Sequence, residues 1–349
     1  MAMKYLYFLL ILVPVAIGLK LLGGNPTWVF LSSAGALIPL AALLGKATEE
    51  FSGYTGPRIG ALLSATLGNA AELIITIAAI REGLLDLVKA SISGAILGNV
   101  LLVLGLSLLL GGLKNGRQTF DPHIAGLSAT MMTLSVVALA IPALFSIGPH
   151  RLIDQSPELF SVGVAIVLLL LYGLYIVYTV FLHKGVPAVS VVHVRPEWSK
   201  GLALAALAGT TGTVVVMSEI LIGAVEPVVA QWGITELFLG FVLVPVVGNI
   251  AENLVAVQFA MTNKMDLSLG IAIGSSLQIA LFVAPVLVFV SLLIGNPMSL
   301  IFNAYELVGL GAAVSIAALV SVDGESNWLE GAQLIAVYLI VALGFFFLS

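Results

Sequence analysis

The 349-residue chain has no cysteine. That excludes disulfide staples, thiol catalysis and every cysteine-based metal site. Charge is nearly as scarce. The 13 Lys+Arg and 18 Asp+Glu make up only 9% of the residues, against roughly 25% in a soluble domain. So few charged side chains cannot cover the surface of a soluble enzyme of this length. A net charge of −5 supplies no basic surface, and no nucleic-acid partner is expected. What the chain does have is apolar sequence, at 60% of residues with a mean hydropathy of +1.17. The apolar runs are long and unbroken rather than alternating, which excludes a transmembrane β-barrel. They point to an all-α polytopic protein of the lipid bilayer. The 36 glycines suit helices that pack closely in lipid.

Eleven apolar stretches of about 20 residues are bounded by charges or turn residues. They lie near 5–22, 27–48, 57–80, 87–112, 121–145, 157–182, 200–225, 235–260, 268–294, 302–322 and 328–348. The first reads as a span rather than a secretory signal, because its run is long and no A-x-A site follows. Alternate connections, starting with the N-terminus, carry nine Lys/Arg, and the other set carries four. The richer side is expected to be cytoplasmic, which puts the N-terminus inside and the C-terminus outside. The longest connection, 184–199, contains two prolines and mixed charge. It divides the chain into an N-terminal helix (1–24), a first half (25–183) and a second half (200–349).

The two halves share a motif. Gly68-Asn69-Ala70-Ala71-Glu72 in span three returns as Gly248-Asn249-Ile250-Ala251-Glu252 in span eight. A second pair follows in the same order, GAILGNVLLVLG at 94–105 and GIAIGSSLQIAL at 270–281. The copies are five spans apart. Five is odd, so the second copy crosses the membrane in the opposite sense. The expected architecture is one N-terminal helix plus two inverted five-helix repeats, with a site near the midplane where the repeats meet.

Glu72 and Glu252 are the acidic residues nearest the middle of confidently placed spans. A carboxylate there costs at least about 2.5–3.5 kcal/mol and so needs a purpose or a partner. On a helix Asn69 shares a face with Glu72, and Asn249 with Glu252. The preceding glycines let a backbone or an ion approach closely. Two such faces apposed offer two carboxylates, two amide oxygens and backbone carbonyls, a donor set for a hard divalent cation. Ca²⁺ accepts 6–8 oxygens in flexible geometry, whereas Mg²⁺ requires a strict octahedron. No Cys is present and all four His (His123, His150, His183, His193) fall in loops or at span edges, so zinc and copper are poorly served. When empty, the two carboxylates repel and take up protons. One Ca²⁺ or two H⁺ then neutralise the same pair, and competition gives exchange. No other cofactor is expected, and self-association is left open.

Asn99, Ser275, Ser276 and Gln278 are polar residues inside spans. Either interhelical hydrogen bonding or a place in a second shell or ion pathway suits them. Glu219 is deeper than a span end, which suits a gate or pathway. Glu49 and Glu50, closing span two, read as solvated interfacial groups. Pro245 is placed to kink span eight. No H-E-x-x-H, G-x-S-x-G or P-loop is present, and no enzyme is expected.

GNAAELI with GNIAENL, followed by GAILGNVLLVLGL and GSSLQIALFVAPVLV, resembles the Ca²⁺/H⁺ exchanger (antiporter) family of the Ca²⁺/cation antiporter superfamily. PRIGALLSATLGNAAELI, the PEWSK before span seven and SVDGESNWLEGAQLIAVYLI resemble its bacterial members. The resemblance runs from about residue 27 to 348. It implies the eleven-helix fold and alternate binding of Ca²⁺ and H⁺ at Glu72 and Glu252. Two departures stand out. The connection 184–199 holds a single acid, Glu197, where the family often has an acidic run, and Asn253 stands where the family usually has His. Loop-based Ca²⁺ collection and pH sensing by that His are therefore not carried over. The alternative is a Na⁺/Ca²⁺ or other cation exchanger on the same fold. A channel fits the paired carboxylates less well, and an intramembrane enzyme would lack a nucleophile.

Overall fold

The computed structural model describes residues 6–146, 157–182 and 196–347, and the described chain is helical apart from one two-residue strand pair. After a 3₁₀ turn at Tyr7–Ile11 come α1 (Leu12–Leu21), α2 (Pro26–Ser52), α3 (Pro57–Leu67), α4 (Ala70–Arg81), α5 (Leu85–Asn115), α6 (Pro122–Ser146) and α7 (Pro157–Thr179). The remainder are α8 (Lys200–Ile222), α9 (Val225–Trp232), α10 (Glu236–Met261), α11 (Met265–Ile294), α12 (Ala304–Val320) and α13 (Trp328–Phe347). Eight candidate spans among the described residues are long and apolar enough to cross a membrane, one of them running through α8 and α9. Local chemistry sets the starts. Pro26 and Pro57 occupy first-turn positions, where a missing N–H costs nothing. The side chains of Asn25, Ser199 and Thr235 accept from backbone N–H groups of the helices they precede.

The stretch expected as one span at 57–80 is divided. α3 ends at Leu67 and α4 begins at Ala70, with Gly68–Asn69 as the break. The matching Gly248–Asn249 lies inside the unbroken helical run of α10. Two other long helices carry a π turn beside the second motif, at Gly98–Val103 in α5 and Ile279–Val283 in α11. Such turns leave backbone carbonyls imperfectly paired and recur at functional sites.

The chain forms two compact units that cut across its linear order. One comprises 1–91, 191–252 and 346–349; the other comprises 92–190 and 253–345. In the first unit α2 packs along α8, α1 rests on α2, and α4 also lies against α8. One end is tied by Thr27, whose hydroxyl donates to Gln231 Oε1 at 2.9 Å and accepts from Trp232 Nε1 at 3.1 Å. At the opposite end Glu50 receives the start of α8. Its Oε2 accepts the N–H groups of Glu197 and Trp198 at 2.7 and 2.9 Å, and Tyr54 donates to the Trp198 carbonyl. Lys46 Nζ sits 5.1 Å above the Trp198 ring. Glu50 is only 3% exposed, so it is not the solvated interfacial group expected; Glu49 is exposed. Most of the connection 184–199 lies outside the described residues.

In the second unit three connections are knotted together. Strand β1 (Gln118–Thr119) pairs antiparallel with β2 (Glu325–Ser326), and Arg117 pairs with Glu325. Gln118 Nε2 donates to the Ala260 carbonyl at 2.8 Å and to Asn263 Oδ1 at 3.0 Å, and Asp121 N–H donates to Asp266 at 2.8 Å. These connections follow spans four, eight and ten, which the sequence places on one side. Elsewhere in this unit Glu306, 1% exposed, accepts from Ser93 Oγ and from the Asn303 N–H, forming a capping box at the start of α12.

Candidate ion site

Glu72 stands in the first turn of α4, where the unpaired N–H groups and partial positive charge of a helix start favour an anion. Its side chain is 3% exposed. The partner comes from the other copy of the motif: Asn249 Nδ2 on α10 donates to Glu72 Oε1 at 2.5 Å. The glycine before it makes this approach possible. A Cβ added at Gly248 would lie 2.7 Å from Glu72 Cγ, well inside contact distance. Thr76 Oγ1 fixes the next turn by donating to the Glu72 carbonyl at 2.7 Å.

Two glycines of α10 make close approaches in this unit. Gly240, early in α10, packs on the Leu87 carbonyl and Ala90, in the first turns of α5. Eight residues later Gly248 meets Glu72, near the start of α4.

Glu72 Oε2 is buried and has no hydrogen-bond partner. A naked carboxylate oxygen away from water is costly unless a cation or a proton satisfies it. Glu252 is half-buried. Asn69, 1% exposed, sits at the α3–α4 break. Four of the expected site residues, Asn69, Glu72, Asn249 and Glu252, thus belong to one compact unit. Among the described residues no cluster of three or more His, Asp or Glu forms a metal centre. The oxygens available are carboxylate, amide and main-chain, which is the donor chemistry of Ca²⁺ rather than of zinc or copper.

The second motif pair makes its own contact in the other unit. Asn99 Nδ2 donates to Ser275 Oγ at 3.0 Å, and both side chains are buried. Ser276 bonds back to the Ala272 carbonyl, and Gln278 is half-buried. The Glu219 side chain is 51% exposed and pairs with Arg81 at 2.7 Å. Sequence reasoning assigned no role to Arg81, because a basic residue at a span end usually does no more than mark the interface. His123 is exposed, as anticipated; the other three His lie outside the described residues.

An apolar all-helical chain with a buried carboxylate bonded between two copies of one motif has the build of a membrane transport protein. The chain belongs to the sodium/calcium exchanger protein family, which matches residues 25–181 and 202–347. It is 42% identical to the Ca²⁺/H⁺ antiporter ChaA of Bacillus subtilis, over 97% of this chain and 98% of that one. It is 41% identical to a Ca²⁺/H⁺ antiporter of Aphanothece halophytica, over 97% of this chain and 95% of the relative. The solved structure of native YfkE superposes with a TM-score of 0.86 at 39% identity, covering 98% of this chain and all of that one. An H⁺/Ca²⁺ exchanger CAX structure shares the fold at a TM-score of 0.73 and 16% identity, covering 100% of this chain and 93% of that one.

Proposed function

We propose that the chain is a secondary-active Ca²⁺/H⁺ antiporter that exports cytoplasmic Ca²⁺ in exchange for entering protons. One observation carries the mechanism: the buried Glu72, with one oxygen held by Asn249 and the other unsatisfied. Relatives bearing the antiporter name match at about 41% identity over nearly the whole chain, which supports the same cargo. Glu72 and Glu252 bind either Ca²⁺ or protons, and Asn69 and Asn249 add amide oxygens. Asn99, Ser275 and Gln278 serve the ion pathway.

In this reading α3 with α4, and α8 with α9, each make one span, giving eleven membrane helices in all. An N-terminal helix precedes two inverted five-helix repeats at 25–183 and 200–349, joined by the cytoplasmic connection 184–199. The N-terminus is cytoplasmic and the C-terminus outside, as the Lys/Arg asymmetry favours. Access to the site alternates between the two sides.

The test is Ca²⁺ uptake by proteoliposomes under an imposed pH gradient, with and without a Na⁺ gradient. Uptake driven by the pH gradient alone is expected. Uptake that requires Na⁺ replaces this reading with Na⁺/Ca²⁺ exchange, and uptake without either gradient's coupling replaces it with a channel.

A further inference from the structure

Glu72 cannot exchange its ligand where it stands, since its side chain is 3% exposed and Oε2 faces no solvent. Some element around it must move in each cycle. α4 is built to be that element. It is a half-helix of 12 residues, separated from α3 by the break at Gly68–Asn69, with Glu72 in its first turn. A short rigid rod joined to its neighbour at Asn69, whose backbone leaves helical geometry (φ −94°, ψ 18°) while Gly68 keeps it, can pivot there, carrying Glu72 with it. Its far end is Arg81, about 14 Å along the axis from Glu72 at 1.5 Å per residue. Arg81 Nη1 is 2.7 Å from Glu219 Oε1, on the last turns of α8.

We propose that Arg81 is a positioning residue for ion exchange, and that its pair with Glu219 is a releasable latch holding α4 with Glu72 occluded. The inference rests on Glu72 being the exchange site. The strength of the contact suits a latch. Both side chains are more than half exposed, at 59% and 51%, and such pairs are worth so little that thermal motion breaks them readily. The other end of α8 is held differently, by the buried Glu50 accepting two backbone N–H groups. The start of α8 is thus held by a buried carboxylate, whereas the polar side-chain contact between its last turns and the helix of Glu72 is an exposed ion pair.

Carbodiimide labelling of Glu72, read by mass spectrometry, tests this without any transport assay. Arg81→Gln and Glu219→Gln should each raise the Glu72 labelling rate by about 2- to 5-fold, the range an exposed ion pair commands. The reversed pair, Arg81→Glu with Glu219→Arg, should return labelling toward the original rate, and Arg81→Lys should restore most of it. Rescue by reversal shows that the effect runs through the ion pair and not through either side chain alone. A second arm uses the absence of native cysteine. Arg81→Cys with Glu219→Cys, bridged by a reducible thiol cross-linker, should stop exchange and recover on reduction. Unchanged labelling in both single variants, or full exchange while cross-linked, overturns the latch. Raised labelling in a protein that moves no Ca²⁺ in any form would overturn the antiport reading instead and leave the latch standing.

Discussion

Glu72 and Glu252 occupy matching places in two motifs but stand in unequal surroundings. Glu72 is buried and bonded to Asn249, whereas Glu252 is half-buried. In the proposed site both balance the charge of a divalent cation, and an amide cannot titrate. Glu72→Gln and Glu252→Gln are each expected to abolish Ca²⁺/H⁺ exchange in proteoliposomes, and half-normal exchange by either variant contradicts a shared site. The pairing of the two motifs was legible in the sequence, because a duplicated Gly-Asn-x-Ala-Glu leaves few other readings. Their inequality was not. Gly-Asn breaks the helix at 68–69 and continues it at 248–249, so the dipeptide itself does not decide; its tertiary neighbours do. Glu50 misled for a related reason. A Glu near a helix end is usually solvated, and only a contact 147 residues away in the chain buries this one.

Among the helices, apolar run length gave most positions directly, since lipid tolerates few other arrangements of backbone polar groups. The ends were legible where a cap announced them, as with Asn303 before α12 and Glu306 in its first turn. The division of α3 from α4 left no such mark. The junction of α2 with α8 also depends on long-range contacts, and it makes a prediction. Glu50→Gln removes the negative charge that receives two N–H groups, and hydrogen bonds to a charged group are worth about 1.5–3 kcal/mol each. The variant should unfold at a lower temperature in detergent while its Ca²⁺ affinity stays unchanged, as followed by tryptophan fluorescence and calcium titration. An unaltered Tm would mean that the Trp198 contacts of Tyr54 and Lys46 hold the junction alone.

For the whole molecule, the antiport reading ties cargo binding to pH. Ca²⁺ can bind the carboxylate pair only as protons leave, so the Ca²⁺ Kd should rise as pH falls, with protons released on binding. Titration calorimetry in buffers of different ionisation enthalpy would measure both; a Kd flat between about pH 6 and 8 with no proton release speaks for Na⁺ coupling or a channel. The knot of three connections in the second unit bears on how such a molecule comes into being. β1 finds its partner about 200 residues later, at Glu325–Ser326. At a synthesis rate of about 5–20 residues per second, Gln118 and Thr119 wait roughly 10–40 s for that strand to be made. Until then the turn at Gly116 presents an unpaired edge. The knot is therefore among the last contacts to close, and a chain cut short before residue 325 carries that open edge permanently, as a place for quality control to grip.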